Sequence, residues 1–144
     1  MEKIILEKLT LEKEFKHATV YIGAQSPYIA IVEATANYIP LASFKEIFEF
    51  IGDLIPKKGI TKLIFDKRKL SIFHQPSMEW YFIEWKEKTF DLGLKVHRKI
   101  LPTDDIFRQS VRIGREKIKK NYPEKKFQQM DIQYAESVEE AIEK

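Results

Sequence analysis

The chain has 144 residues, the size of one ordinary domain, and is 44% hydrophobic and 33% charged, enough for both a core and a wetted surface. It has no cysteine, which excludes disulfide frameworks, thiol catalysis and cysteine zinc sites, and a net charge of +3 does not by itself argue for nucleic acid. No run approaches the roughly 20 apolar residues that cross a bilayer, and the start at Met1 lacks a signal peptide's basic flank and cleavage site, so a cytoplasmic protein with no transmembrane segment is expected.

Residues 1–16 alternate apolar and charged irregularly, with Ile4, Ile5, Leu6, Leu9 and Leu11 set against Glu7, Lys8 and Glu12. They read as a leader of uncertain structure ahead of one domain over 17–144. Residues 18–23 and 28–36 are β-branched and aromatic and flank Gly23–Pro27, a hairpin signature that makes the first two strands antiparallel neighbours. Ser43 and Glu46 have capping-box spacing, and Phe44, Ile47, Phe48, Ile51 and Leu54 continue at helical spacing until Pro56 and Gly59. The apolar run 60–65 is a third strand that exits through Asp66. Pro76 and Ser77 open a second helix to about Asp91, stopped at Gly93, and residues 94–101 form a fourth strand. Residues 102–105 cap a third helix that runs to about Tyr122, with Asp104 and Asp105 suited to its positive end. Residues 130–135 alternate as a fifth strand, and Ser137 with Glu140 caps a short terminal helix.

The order β-β-α-β-α-β-α-β-α predicts an α/β fold with a mostly parallel five-stranded sheet and about four helices. The second and third strands, nearly all apolar, belong at its centre. The fourth, carrying His97, Arg98 and Lys99, and the fifth belong toward an edge with one wetter face.

An opening hairpin followed by this alternation and an acidic terminal helix resembles the STAS fold of anti-sigma-factor antagonists. The likeness is to the stand-alone bacterial SpoIIAA-like branch, which shares its βα superhelix with CRAL-TRIO lipid-transfer domains. It covers roughly residues 18–144 and rests on element order and the ending 127–143. The resemblance implies a regulatory module acting by protein contact. In regulatory members a phosphorylatable serine of an Asp-Ser-Ser-Gly-like motif follows the third strand. Here the motif is absent, the loop over 65–80 is longer, and only Ser77 occupies a comparable place.

Asp66, His74 and Ser77, with Thr103 and Asp104 after the next strand, fall between strand carboxyl ends and helix amino ends, where open α/β sheets bind ligands. Asp66, His74 and Ser77 have the residue types for proton transfer and nucleophilic attack, but no nucleophile elbow surrounds Ser77, whose simpler reading is a helix cap. His17, His74 and His97 lack metal-ligand spacing and the glycines form no phosphate loop, so no metal and no cofactor are expected. Arg108, Arg112, Arg115 and Lys119 make one basic row on the third helix, either a solvated face or a surface for an anionic partner. Without aromatic interleaving or a nucleic-acid fold signature, no nucleic-acid partner is expected.

The second helix places Met78, Phe82, Trp85 and Thr89 on one stripe and Trp80, Ile83, Glu87 and Phe90 on another, with Tyr81 widening the apolar arc. One stripe covers the sheet. Trp80, Tyr81, Trp85 and Phe90 are therefore candidates for core, interface or pocket, and a homodimer is expected if the second stripe is left uncovered. Three functions follow: a STAS-like protein-binding regulator with an unknown protein partner, a carrier of a small apolar or lipid-like ligand, or an enzyme using Asp66, His74 and Ser77.

Overall fold

The computed structural model describes residues 8–144. Six strands form one sheet in sequence order: β1 (Leu9–Glu14), β2 (Ala18–Gly23), β3 (Ile29–Ala34), β4 (Lys62–Asp66), β5 (Val96–Ile100) and β6 (Asp131–Tyr134). The pairs β1–β2 and β2–β3 are antiparallel, and β3–β4, β4–β5 and β5–β6 are parallel. The mixed, mostly parallel α/β architecture is as the sequence predicts, with a sixth strand added in front. That strand is the end of the supposed leader. A register shift between Leu11 and Lys13 breaks its alternation, so its side chains do not read as a two-residue period. Ile4, Ile5 and Leu6 lie outside the described residues.

The helices are α1 (Leu41–Lys58), a continuous rod of α2 (Gln75–Trp80), a π-helical turn (Tyr81–Trp85) and α3 (Lys86–Leu92), then α4 (Asp105–Asn121) and α5 (Val138–Glu143). Two expected starts move. The amino-terminal cap of α1 is Pro40, with no side-chain bond, so Ser43 lies inside the helix; that of α2 is His74, so Ser77 lies two residues inside. Pro at the first positions of a helix sacrifices no intrahelical bond, which lets the chain enter α2 one turn early through Pro76. At the other end, α1 runs past Pro56 and stops at Gly59, whose φ of 65° is the left-handed conformation that favours glycine. Asp104 and Ser137 cap α4 and α5 as predicted, accepting from the N–H groups of Ile106 (2.8 Å) and Glu140 (3.1 Å).

Strand alternation sorts the sheet into two faces. Ala18, Val20, Ala30, Val32, Leu63 and Phe65 face a core shared by α1, the rod and α4. Ile29, Ile31, Ile64 and Ile100 face the other side, where Val138 and Ala141 of α5 pack. β5 overturns the expectation of a wet face. His97, Arg98 and Lys99 are all buried, His97 and Lys99 under the helices and Arg98 under α5. Arg98 gives its guanidinium to the carbonyls of Asp131 and Lys144, and Lys62 bonds the carbonyl of Ile142, so two sheet cations satisfy the last carbonyls of α5. No helix among the described residues is long and apolar enough to cross a membrane.

Candidate functional site

The core beneath the rod is aromatic. Phe48 stacks on Phe44 (4.5 Å between centroids) and meets Phe65, Tyr81 and Trp85 at 4.7–5.2 Å. Trp85 donates its indole N–H to the Phe48 carbonyl at 2.6 Å, which fixes the rod on α1. The first stripe of the rod, Met78, Phe82, Trp85 and Thr89, is buried throughout, as is Tyr81. Trp80, Ile83 and Phe90 of the second stripe are half-buried and pack against the same core.

The π-helical turn explains one residue that helical periodicity leaves at the edge of the stripe. Its wider hydrogen bond runs from the Lys86 N–H to the Tyr81 carbonyl, five residues back, and stacks Lys86 over Tyr81. Lys86 is fully buried as a result. Facing it from the sheet is Lys99, also fully buried, and next along β5 is His97, whose Nδ1 lies 3.0 Å from the Leu63 carbonyl. A carbonyl only accepts, so Nδ1 carries the proton, and Nε2 accepts from the Tyr81 hydroxyl at 2.7 Å. Burial, then the nearby Lys86 and Lys99, hold the imidazole well below its ordinary pKa, and burial pushes the Tyr81 hydroxyl well up.

At the carboxyl end of β4 a recess opens between the Tyr38 loop, the rod and α4. Including its mouth it measures about 490 Å³. Phe44, Phe65, Tyr81 and Phe107 make apolar walls, and Lys67, His74 and Ser77 supply polar groups. Ser77 Oγ and His74 Nδ1 are 2.8 Å apart, and the His74 ring meets Tyr38 edge-on. Burial, aided by the charge of Arg115, pushes the Lys67 amine down to about 8.

The expected cluster after β4 is thus only partly assembled. His74 and Ser77 come together, but Asp66 turns away, its carboxylate accepting from the Arg68 side chain at 2.7 and 3.0 Å and from the Arg68 N–H at 3.1 Å. Among the described residues no carboxylate hydrogen-bonds His74, so no Ser-His-Asp relay forms. Thr103 and Asp104 are exposed at the start of α4, outside the recess. Ser77 is not a cap, because its hydroxyl is committed to His74. Lys67 and Lys86 were missed: the first reads as one of a charged trio with Arg68 and Lys69, the second as one of several solvated lysines.

The basic row on α4 divides. Arg108 donates Nε–H to the Pro102 carbonyl at 2.6 Å and pairs with Glu136 at 3.7 Å; Arg115 bonds the Tyr134 hydroxyl at 3.2 Å. Arg112 and Lys119 are exposed, and Arg108 and Arg112 border a second recess of about 970 Å³ with Leu101 and Tyr134. No protein-family model, curated protein or solved structure matches the chain.

Proposed function

We propose that the chain is a non-enzymatic binding module for a small molecule with an apolar body and an anionic head, held in the recess at the carboxyl end of β4. The observation that carries this is the convergence of Lys67 and the His74–Ser77 pair on an otherwise aromatic recess. Open α/β sheets bind ligands at this end, and few convergent polar groups in an apolar pocket are what a small ligand needs for orientation. Phe44, Phe65 and Phe107 would enclose the body, and Lys67, among the described residues the one Lys or Arg lining the recess, would receive the head. A serine bonded to an imidazole that no carboxylate orients serves better as a hydrogen-bonding edge than as a nucleophile.

Calorimetric titration with benzoate and with benzyl alcohol tests the reading. At pH 7 Lys67 is charged, and benzoate is expected to bind about tenfold tighter than the alcohol, a preference that the Lys67→Met variant loses. Equal binding of the two, or binding of neither, would overturn it.

A second reading, the STAS-like regulator acting by protein contact, draws on α4. Ile106 and Ile113 are 76% and 64% exposed and share the helix with the free face of Arg112. Large apolar residues left in water beside cations suit an acidic protein partner. The charge-reversed variant Arg112→Glu should then weaken partner capture and reduce its salt dependence.

A further inference from the structure

Behind Tyr81, which forms part of the recess wall, two lysines lie in an arrangement that the binding reading leaves unused. Lys86 and Lys99 are 0% exposed, and among the described residues neither amine nitrogen has a hydrogen-bond partner. Both approach one ring: Lys86 Nζ is 3.7 Å and Lys99 Nζ 4.3 Å from the centroid of Phe82. Lys86 also stands 4.5 Å from the Tyr81 centroid. The groups whose charge acts on Lys86 are Lys67 at the exit of β4 and Arg115 on α4, and the same two act on Lys99 together with Lys86. All are positive.

Such a cluster is not incidental to packing. Lys99 is fixed in the middle of the sheet, in register with Phe65, and Lys86 is turned inward by a π-helical turn, an irregularity found frequently at functional sites. A ring face is only a partial partner for an amine, and buried polar groups without partners call for an explanation such as an ion. An anion with several acceptor oxygens would satisfy both amines and balance the whole cluster at once.

We propose that Lys86 and Lys99, with Lys67 at the recess, form the seat of a dianionic head group of the phosphate class. This rests on the binding reading and names the head of its ligand: a phosphate monoester whose body lies in the aromatic recess, or free phosphate. Burial and the neighbouring cations hold both amines below their ordinary range, so a dianion arriving beside them draws protons from solvent onto nitrogen. The groups facing them supply none. His97 from β5 is neutral with its proton committed to Leu63, the Tyr81 hydroxyl is committed to His97, and Lys67, pushed down to about 8, takes up a fraction of a proton itself rather than giving one.

The test is calorimetric titration of the intact protein with phenyl phosphate, inorganic phosphate and benzoate at pH 7.5, in two buffers of different ionisation enthalpy. Phenyl phosphate should bind about tenfold tighter than benzoate and take up protons on binding. In Lys86→Met and Lys99→Met the preference for phenyl phosphate over benzoate should collapse. Inorganic phosphate weaker than the ester would identify an ester as the ligand, and equally tight binding would identify the free anion. Phenyl phosphate no tighter than benzoate, or binding without proton uptake, would overturn the proposal while benzoate binding left the recess reading standing. Loss of benzoate binding as well would remove both. Should a Met variant fail to fold, the proton count in the unaltered protein decides, since Lys67 at about 8 accounts for well under one proton at pH 7.5 and a larger uptake requires the buried amines.

Discussion

Replacing Lys86 by Met should stabilise the protein at neutral pH, and the gain should shrink as pH rises. Met keeps most of the volume and the apolar stem and removes an amine that is fully buried without a hydrogen-bond partner. The side chain's ordinary pKa is 10.5, and burial, then the charges of Lys67 and Arg115, place it well below that in the folded state. The folded protein therefore binds fewer protons than the unfolded chain, and stability climbs with pH until the unfolded amine also deprotonates near 10.5. Burying an amine that has no hydrogen bond costs about 1–3 kcal/mol. The Met side chain keeps an apolar and polarisable contact with the Phe82 and Tyr81 faces, so only a small part of that is offset. Urea unfolding should show the variant roughly 1–2 kcal/mol more stable at pH 7, with the advantage largely gone at pH 10. A variant less stable than the parent at pH 7, or one whose advantage is the same at both pH values, would refute the reasoning. The buried amine would then be charged and well accommodated.

Ser77→Ala should lower stability by about 1 kcal/mol in urea unfolding, through the lost 2.8 Å bond to His74 and not through a cap, so helix content by circular dichroism should not change. Gly114→Ala should destabilise by about 1 kcal/mol, because the added Cβ would overlap Gln75 Oε1 and lie 3.1 Å from both Met78 Sδ and the Phe73 ring, prising α4 from α2. Gln75 can move aside, so a cost above about 3 kcal/mol would mean that this seam is stiffer than its side chains indicate. The second stripe of the rod packs against the core, and among the described residues Ile106 and Ile113 are the most exposed large apolar residues, so if a homodimer forms through α4 instead, sedimentation across a concentration series should show it lost in the Ile106→Lys, Ile113→Lys double variant; a chain monomeric throughout would dispose of it.

The residues that carry the fold speak plainly in the sequence. The hairpin of β2 and β3, and the buried stripe Phe107, Val111, Gly114 and Ile118 of α4, follow from spacing alone. What escapes is wherever a local irregularity or a distant partner reverses a local preference. The register shift after Leu11 scrambles the alternation of β1. β5 reads as wet because His97, Arg98 and Lys99 are polar, yet Leu63 and Tyr81 absorb the imidazole, the end of α5 absorbs Arg98, and Lys99 goes under without a partner. Lys86 turns inward only because the rod takes a π-helical turn, which no 3.6-residue period foretells. The candidate site was accordingly half legible. His74 and Ser77 lie where strand-to-helix loops bind ligands, whereas the cations belong to the site through tertiary structure.

The most direct test of the account is the map of amide shifts in a nitrogen-15 correlation spectrum as phenyl phosphate is added. A ligand headed by an anion in the recess should shift Lys67, Ser77, Tyr81, Phe82, Lys86 and Lys99 together, tracing one surface from the mouth to the buried amines. Shifts confined to Arg108, Arg112 and Tyr134 around the second recess, or none at saturating ligand, would contradict it.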